Sequence, residues 1–127
     1  MKIVLDTNFL VYCAEKRIDY LNWIDERLGG EKEILVFDKV LEELKKLSEK
    51  AEKGRDKTAA KLALKILSHH KIKIIQTKSE SADKAILELV EREEEVIVAT
   101  LDRELIKKVK NRGKVLVIHS GMNLELK

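Results

Sequence analysis

Five short apolar runs, rich in β-branched residues, divide this sequence at intervals that few folds accommodate. They are residues 3–5, 34–37, 72–75, 96–99 and 115–118. Most are apolar throughout instead of alternating with polar residues, which is typical of strands buried on both faces of a parallel sheet. The runs therefore predict a parallel sheet that is covered by helices on both sides.

Stretches with helical periodicity connect these runs. Their apolar spacing predicts two helices between the first and second runs, two between the second and third, and one before each of the last two. The first helix is expected to reach Ile18, the fifth to begin after Ser79 or Ser81, and the last to include Leu101. Strands that alternate with helices indicate an α/β fold, a three-layer α/β/α sandwich. The length of 127 residues, without an internal repeat or linker, predicts one domain over residues 1–127.

The composition excludes several classes of protein. One cysteine, Cys13, is too few for a disulfide framework or a multi-cysteine zinc site. No apolar run approaches the roughly 18 residues that a membrane span needs. Asp6 interrupts the start of the chain where a signal peptide would stay apolar. We therefore expect a soluble, cytoplasmic protein that does not associate with membranes.

Two acidic residues follow predicted strands. Asp6 comes directly after the first strand, and Asp102 comes shortly after the fourth. Ligands of open parallel sheets bind outside the carboxyl ends of the strands. Both carboxylates are therefore expected at the functional edge of the sheet.

Two further acids lie in the first turns of predicted helices near the same edge. At about 100° per residue, Glu43 falls roughly 80° from the centre of the apolar stripe of the third helix, which runs from Val40 to Ala51. Its neighbour Glu42 points away from that stripe. Asp83 falls at a similar angle, roughly 80°, on the fifth helix. Glu43 and Asp83 are therefore expected to join Asp6 and Asp102.

Four carboxylates at one place predict a divalent cation, because like charges held close together otherwise raise one another's pKa values. Oxygen ligands without His or Cys favour Mg²⁺ or Mn²⁺ over zinc. Asn8 and Thr100 are expected to orient the carboxylates or a coordinated water.

Structural alternatives exist for each acid. Asp6 is suitable to start the helix that follows it, and Asp102 or Thr100 is suitable as the N-cap of the sixth helix. Glu43 and Asp83 are also typical of boundary residues that pair with a lysine. Asp38, directly after the second strand, is expected to be a helix N-cap.

At these residues the chain resembles the PIN-domain nucleases over essentially its whole length. Residues 3–8 (IVLDTN), 40–44 (VLEEL), 81–86 (SADKAI) and 98–105 (VATLDREL) are similar to the four motifs of that family, in order and in spacing. The second motif places its acid before a leucine, which again selects Glu43. The position between Thr100 and Asp102 is often Asn in the family and is Leu101 here.

The resemblance implies a five-stranded parallel sheet in the order 3-2-1-4-5 and metal-dependent endoribonuclease chemistry. It implies RNA as the substrate and Asp6, Glu43, Asp83 and Asp102 as the catalytic, metal-binding residues. The family includes VapC toxins, which pair with an antitoxin, and nucleases that process ribosomal RNA and contact pre-rRNA. A homodimer is a further implication.

Two other functions are compatible with acids at strand ends. A PIN-fold module for RNA binding or assembly retains the acids with weak or lost catalysis. A receiver-like phosphoacceptor domain needs an acid after the third strand and a lysine after the last, and neither is evident.

The net charge of +3 conceals an uneven distribution. Residues 45–78 contain 11 Lys and Arg and only 3 acids. Some of these cations are expected to guide RNA phosphates towards the acidic site. The candidates are Lys53, Arg55 and Lys57, together with Arg103 beside Asp102.

Overall fold

The computed structural model describes residues 1–50 and 54–127. Its strands are β1 (Lys2–Leu5), β2 (Glu33–Phe37), β3 (Lys73–Ile75), β4 (Val96–Ala99), β5 (Lys114–His119) and β6 (Asn123–Leu126). They form one sheet in the order β3-β2-β1-β4-β5-β6. The pairings among β1 to β5 are parallel, which confirms the predicted order, and β6 adds an antiparallel edge strand.

A tight reversal creates this sixth strand. Ser120 and Gly121 have positive φ angles of 53° and 77°, and they return the chain so that His119 pairs with Asn123. Residues 123–126 are too short, and carry too few apolar side chains, for periodicity to indicate a strand.

The helices are α1 (Thr7–Lys16), α2 (Tyr20–Arg27), α3 (Asp38–Lys50), α4 (Gly54–Ser68), α5 (Ala82–Arg92) and α6 (Arg103–Val109). Two predicted boundaries were wrong. Ile18 lies beyond α1, because Arg17 adopts a left-handed conformation and ends the helix. Leu101 precedes α6, because Asp102 is its N-cap. Ser81 caps α5 as predicted, whereas Ala51, expected in the third helix, lies outside the described residues.

Side chains of the central strand alternate between two apolar layers. Ile3 and Leu5 pack in one layer with α1 to α4. Val4 packs in the other with α5 and α6. All three are 0% exposed, and burying a side chain of this size contributes about 1.5–3 kcal/mol. This two-sided burial explains why the strands are apolar throughout.

The topology brings the ends of β1 and β4 together. β1 lies between β2 and β4, and Leu5 is in register with Ala99. Residues that directly follow β1 and β4 therefore emerge side by side at the carboxyl edge of the sheet. None of the helices in residues 1–50 and 54–127 is long and apolar enough to cross a membrane.

Candidate active site

Asp6 is held in a fixed orientation at the end of β1. Its side chain is only 5% exposed. Oδ1 accepts a hydrogen bond from the Thr7 amide at 3.0 Å, and Oδ2 accepts one from Thr100 Oγ1 at 2.7 Å. Burial raises the pKa of Asp6 to about 6, with the negative charges of Asp83 and Glu43 adding to the effect and the two hydrogen bonds opposing it. A charged group kept in this environment is stabilised by the approach of a cation.

A hydrogen-bond network joins the start of α1 to the segment between β4 and α6. Asn8 Oδ1 accepts from the Leu101 amide at 3.0 Å and lies 3.3 Å from Thr100 Oγ1, whose single proton is donated to Asp6. Thr100 Oγ1 in turn accepts from the Asp102 amide at 3.1 Å. Asn8 and Thr100 therefore lie where orienting groups were expected, and Leu101 takes part through its backbone.

Asp102 caps α6. Its Oδ1 accepts from the amides of Glu104 and Leu105 at 2.9 and 3.3 Å. Asp6 is likewise the N-cap of α1. The capping alternatives thus describe both residues correctly, but capping does not exclude a second role. Both capping hydrogen bonds of Asp102 go to Oδ1, and Oδ2 takes no part in the cap.

Glu43 and Asp83 reach the same cleft from α3 and α5. Both side chains are exposed, so Glu43 borders the cleft rather than the core, while Glu42 faces away from it. Partial burial raises the pKa of Glu43, and the charge of Asp83 adds to it. Partial burial also raises the pKa of Asp83, and the charge of Asp102 adds to that. The structure therefore places all four predicted acids at one cleft, where their negative charges raise the pKa values of Asp6, Glu43 and Asp83.

The acids line a cleft of about 500 Å³ at the carboxyl edge of the sheet. Its described lining contains six carboxylates and no Lys or Arg: Asp6, Glu15, Glu43, Asp56, Asp83 and Asp102. Val11, Tyr12, Leu47 and Leu101 form an apolar part of the wall. This acidic cleft repels a polyanion unless a cation is present.

Sequence reasoning missed Tyr12, Glu15 and Asp56. The first two belong to a face of α1 formed by Asn8, Val11, Tyr12 and Glu15, at positions i, i+3, i+4 and i+7. That spacing was a usable signal, because Asn8 already marks the cleft side of the helix.

The donor set fits a hard divalent cation. Within residues 1–50 and 54–127, no three His, Cys, Asp or Glu side chains stand close enough to form a ready-made metal cage. Mg²⁺ does not need one, since it keeps several waters and binds through one or two carboxylates plus substrate oxygens. The buried Thr7 hydroxyl also lines the cleft, where it interacts with the Glu43 carboxylate and opposes the rise in the pKa of that group.

None of the predicted RNA-binding cations that the structure describes is part of the cleft lining, but Arg55 contacts a lining residue. Arg55 Nε is 3.5 Å from Glu15 Oε1, Lys57 is partly buried, and Arg103 is exposed. Lys53 lies outside the described residues.

Asp38 does not serve as the expected N-cap, because α3 begins at Asp38 itself. Its Oδ1 accepts from the amide and hydroxyl of Thr77, at 2.8 and 2.5 Å. The chain that leads into α5 is therefore tied to the start of α3.

This fold and this set of acids define a known class. Residues 3–121 match the PIN like domain family, and the chain belongs to that family. Among its relatives, Ribonuclease VapC4 of Methanocaldococcus jannaschii is 35% identical over 127 residues, which cover 98% of this chain and 95% of the relative. Ribonuclease VapC9 of Archaeoglobus fulgidus is 36% identical over 110 residues, 87% of this chain and 76% of the relative.

Solved structures show the same fold. The PIN domain endonuclease Utp24 superposes with a TM-score of 0.75 at 21% identity, over 99% of this chain and 90% of that one. A second match is VapBC2 from Rickettsia felis, which was solved bound to a DNA fragment from its promoter. It superposes with a TM-score of 0.58 at 20% identity, over 94% of this chain and 100% of that one.

Proposed function

We propose that this protein is an endoribonuclease that hydrolyses RNA phosphodiester bonds with Mg²⁺ or Mn²⁺. We further propose that Asp6, Glu43, Asp83 and Asp102 hold the cation. The observation that carries the proposal is the convergence of these acids in one cleft. The likeness to a ribonuclease over 98% of the chain supports RNA as the substrate.

Different residues of the chain have different roles at this site. Thr100 fixes the Asp6 carboxylate through its hydroxyl, and Asn8 holds the backbone before Asp102. A bound divalent ion supplies positive charge that activates water and offsets the charge of the phosphate. Water is the nucleophile, because the described lining contains no Cys and no His that would activate the Thr7 hydroxyl, and burial raises the pKa of the Cys13 thiol to about 12.

Substitution of the acids tests the proposal. Asp6→Asn and Glu43→Gln should each reduce RNA cleavage in Mg²⁺ or Mn²⁺ on the order of 100-fold or more, because they remove charge that holds the cation. Glu42→Gln, a change of the same kind one residue away on the exposed face, should stay within about twofold of the parent. Cleavage by Asp6→Asn at the parental rate, in matched metal, would contradict the proposal.

Basic residues outside the cleft are proposed to contact the RNA backbone. Arg55→Gln with Lys57→Gln should weaken RNA binding and reduce the slope of log Kd against log salt by about one per lost phosphate contact. Lys53 and Arg103 are candidates for the same role. Unchanged affinity and slope would remove Arg55 and Lys57 from the binding path.

The biological role that we propose is RNA processing or toxin-type RNA cleavage by a single PIN-like domain, residues 1–127, acting as a homodimer. The two VapC relatives favour the toxin, with an antitoxin as partner. The processing role has a pre-rRNA or ribosomal partner instead. Co-purification of a small protein encoded beside this gene, with loss of RNase activity in the complex, would decide for the toxin.

A catalytically weak RNA-binding or assembly module is the second candidate. The basic segment of residues 45–78, with 11 Lys and Arg against 3 acids, favours it, because RNA binding through these cations needs no catalysis. RNA binding that persists in EDTA, with no cleavage of many RNAs in Mg²⁺ or Mn²⁺, would establish this alternative.

A further inference from the structure

We propose that Tyr12 is a base-stacking residue, which holds a nucleobase of the RNA beside the phosphodiester that is cleaved. This inference rests on the proposed nuclease function and identifies the part of the substrate that the apolar wall of the cleft binds.

The position of Tyr12 on α1 places its ring next to the acids. Tyr12 lies four residues, about 6 Å of rise, beyond Asn8 on the helix, and both residues line the cleft. The Asn8 side chain accepts a hydrogen bond from the Leu101 amide, in the segment that leads into Asp102. A nucleotide whose phosphate lies at the acids therefore has its base, or that of its neighbour, within reach of Tyr12.

The Tyr12 ring is held in place before any ligand binds. Its hydroxyl donates a 2.7 Å hydrogen bond to the carbonyl of Gly121, in the β5–β6 turn. Gly121 has a φ of 77°, a conformation that side chains rarely adopt. Since the hydroxyl is occupied by this carbonyl, the partly exposed ring face is what Tyr12 offers to a ligand.

The surroundings of the ring suit a nucleotide. Val11, Leu47 and Leu101 line the same cleft and make its wall apolar. Lys16 Nζ lies 6.0 Å from the Tyr12 ring centroid and supplies a positive charge that the cleft lining lacks. A flat apolar ring beside a cation is the combination with which proteins hold single-stranded bases, at about 1–3 kcal/mol for each base stacked.

The other four aromatic residues do not compete for this role. Phe9, Tyr20 and Phe37 are at most 4% exposed and belong to the core. Trp23 lies on α2 with Arg27 over its ring at 5.7 Å, and it does not line the cleft. Only 4% of the residues are aromatic, but a single well-placed ring is sufficient for one base.

The test measures binding of a single-stranded RNA, in Mg²⁺, to the full chain carrying Asp6→Asn, which is expected to slow cleavage on the order of 100-fold or more. The cleavage position is first mapped with the parent. Matched RNAs then carry one abasic nucleotide, placed in turn at each position around it. Tyr12→Phe keeps the ring, Tyr12→Leu removes it, and Trp23→Leu is the matched control outside the cleft.

Stacking predicts that Tyr12→Leu weakens binding of the intact RNA by about 5- to 150-fold. When the abasic nucleotide stands where the stacked base would be, Tyr12→Leu should leave the affinity of that RNA unchanged. Trp23→Leu should stay within about twofold, and Tyr12→Phe, which keeps the ring but loses the hydrogen bond to Gly121, should lose much less affinity than Tyr12→Leu. The same comparison in kcat/KM, without Asp6→Asn, provides a second readout should that variant bind RNA poorly.

An equal loss on intact and all abasic RNAs would overturn the proposal, as would a loss with Tyr12→Phe as large as with Tyr12→Leu. Either result would assign Tyr12 to anchoring the β5–β6 turn. If the parent fails to cleave any RNA, the nuclease proposal fails, while a base-dependent effect of Tyr12→Leu on binding would still stand.

Discussion

Replacing Asp6 with Asn should stabilise the metal-free protein at neutral pH. Burial, helped by Asp83 and Glu43, raises the pKa of Asp6 from its ordinary 3.8 to about 6. A tenfold change in an equilibrium is about 1.4 kcal/mol. The ionised Asp6 therefore costs about 3 kcal/mol of folding free energy at pH 7.5.

The sign of the pH dependence follows from the higher pKa in the folded state. Between about pH 4 and pH 6 the folded protein holds a proton on Asp6 that the unfolded chain has lost. Because Asp6 loses this proton as pH rises, its ionisation lowers the free energy of unfolding of the parent by about 2 kcal/mol between pH 4 and pH 7.5. Asp6→Asn removes this dependence.

The amide of Asp6→Asn disturbs little else. Its oxygen can still accept from the Thr7 amide. Thr100 Oγ1, 3.3 Å from Asn8 Oδ1, can donate there and accept from the new NH₂ group. The change in hydrogen bonding is thus small beside the removed charge.

Urea unfolding in EDTA from pH 4 to pH 8 measures the effect, with Glu42→Gln as the control. The stability advantage of Asp6→Asn over the parent should grow by about 2 kcal/mol across this range, while Glu42→Gln should follow the parent. Adding Mg²⁺ should stabilise the parent more than Asp6→Asn. If parent and Asp6→Asn give parallel stability curves, the ionised Asp6 is not destabilising and the reasoning is wrong.

Three further outcomes are expected. Gly113→Ala places a Cβ 2.9 Å from the Val96 carbonyl and should lower stability by about 1–3 kcal/mol in urea unfolding; an unchanged midpoint would contradict this. Asp38→Ala releases both hydrogen bonds from Thr77, so cleavage should fall while RNA binding is retained, and a parental rate would show that this tie is dispensable. Cys13 is 1% exposed, so a thiol reagent should modify it in urea but hardly in the native protein at pH 8, and rapid native reaction would disprove its burial.

The central strands of the sheet were predicted more accurately from the sequence than its edge strands, β3 and β6. The central strands are buried on both faces, so their apolar runs identify them directly. Ile72 lies outside β3, and the whole of β6 was missed, because edge pairing depends on the partner strand and on the turn at Ser120 and Gly121. Such pairing leaves little trace in local periodicity.

The acids of the site were predictable because strand ends and helix angles locate them. Glu43 was separated from Glu42 by geometry alone, and the structure places only Glu43 at the cleft. Asp56 was not predictable in the same way, and Tyr12 could be found only through its spacing from Asn8 on α1. Whether a helix face borders solvent or a cleft depends on the neighbouring helices, which local spacing does not describe.

The central position of β1 has a consequence for synthesis of the chain on the ribosome. Asp6 is made early, yet its hydrogen-bond partner Thr100 follows 94 residues later. At about 5–20 residues per second, several seconds pass before β4 and Asp102 can dock beside β1. Until then Asp6 has no fixed orientation and the cleft does not exist. On the proposed function, the nascent chain is therefore inert towards the messenger RNA that encodes it until β4 and Asp102 have been made.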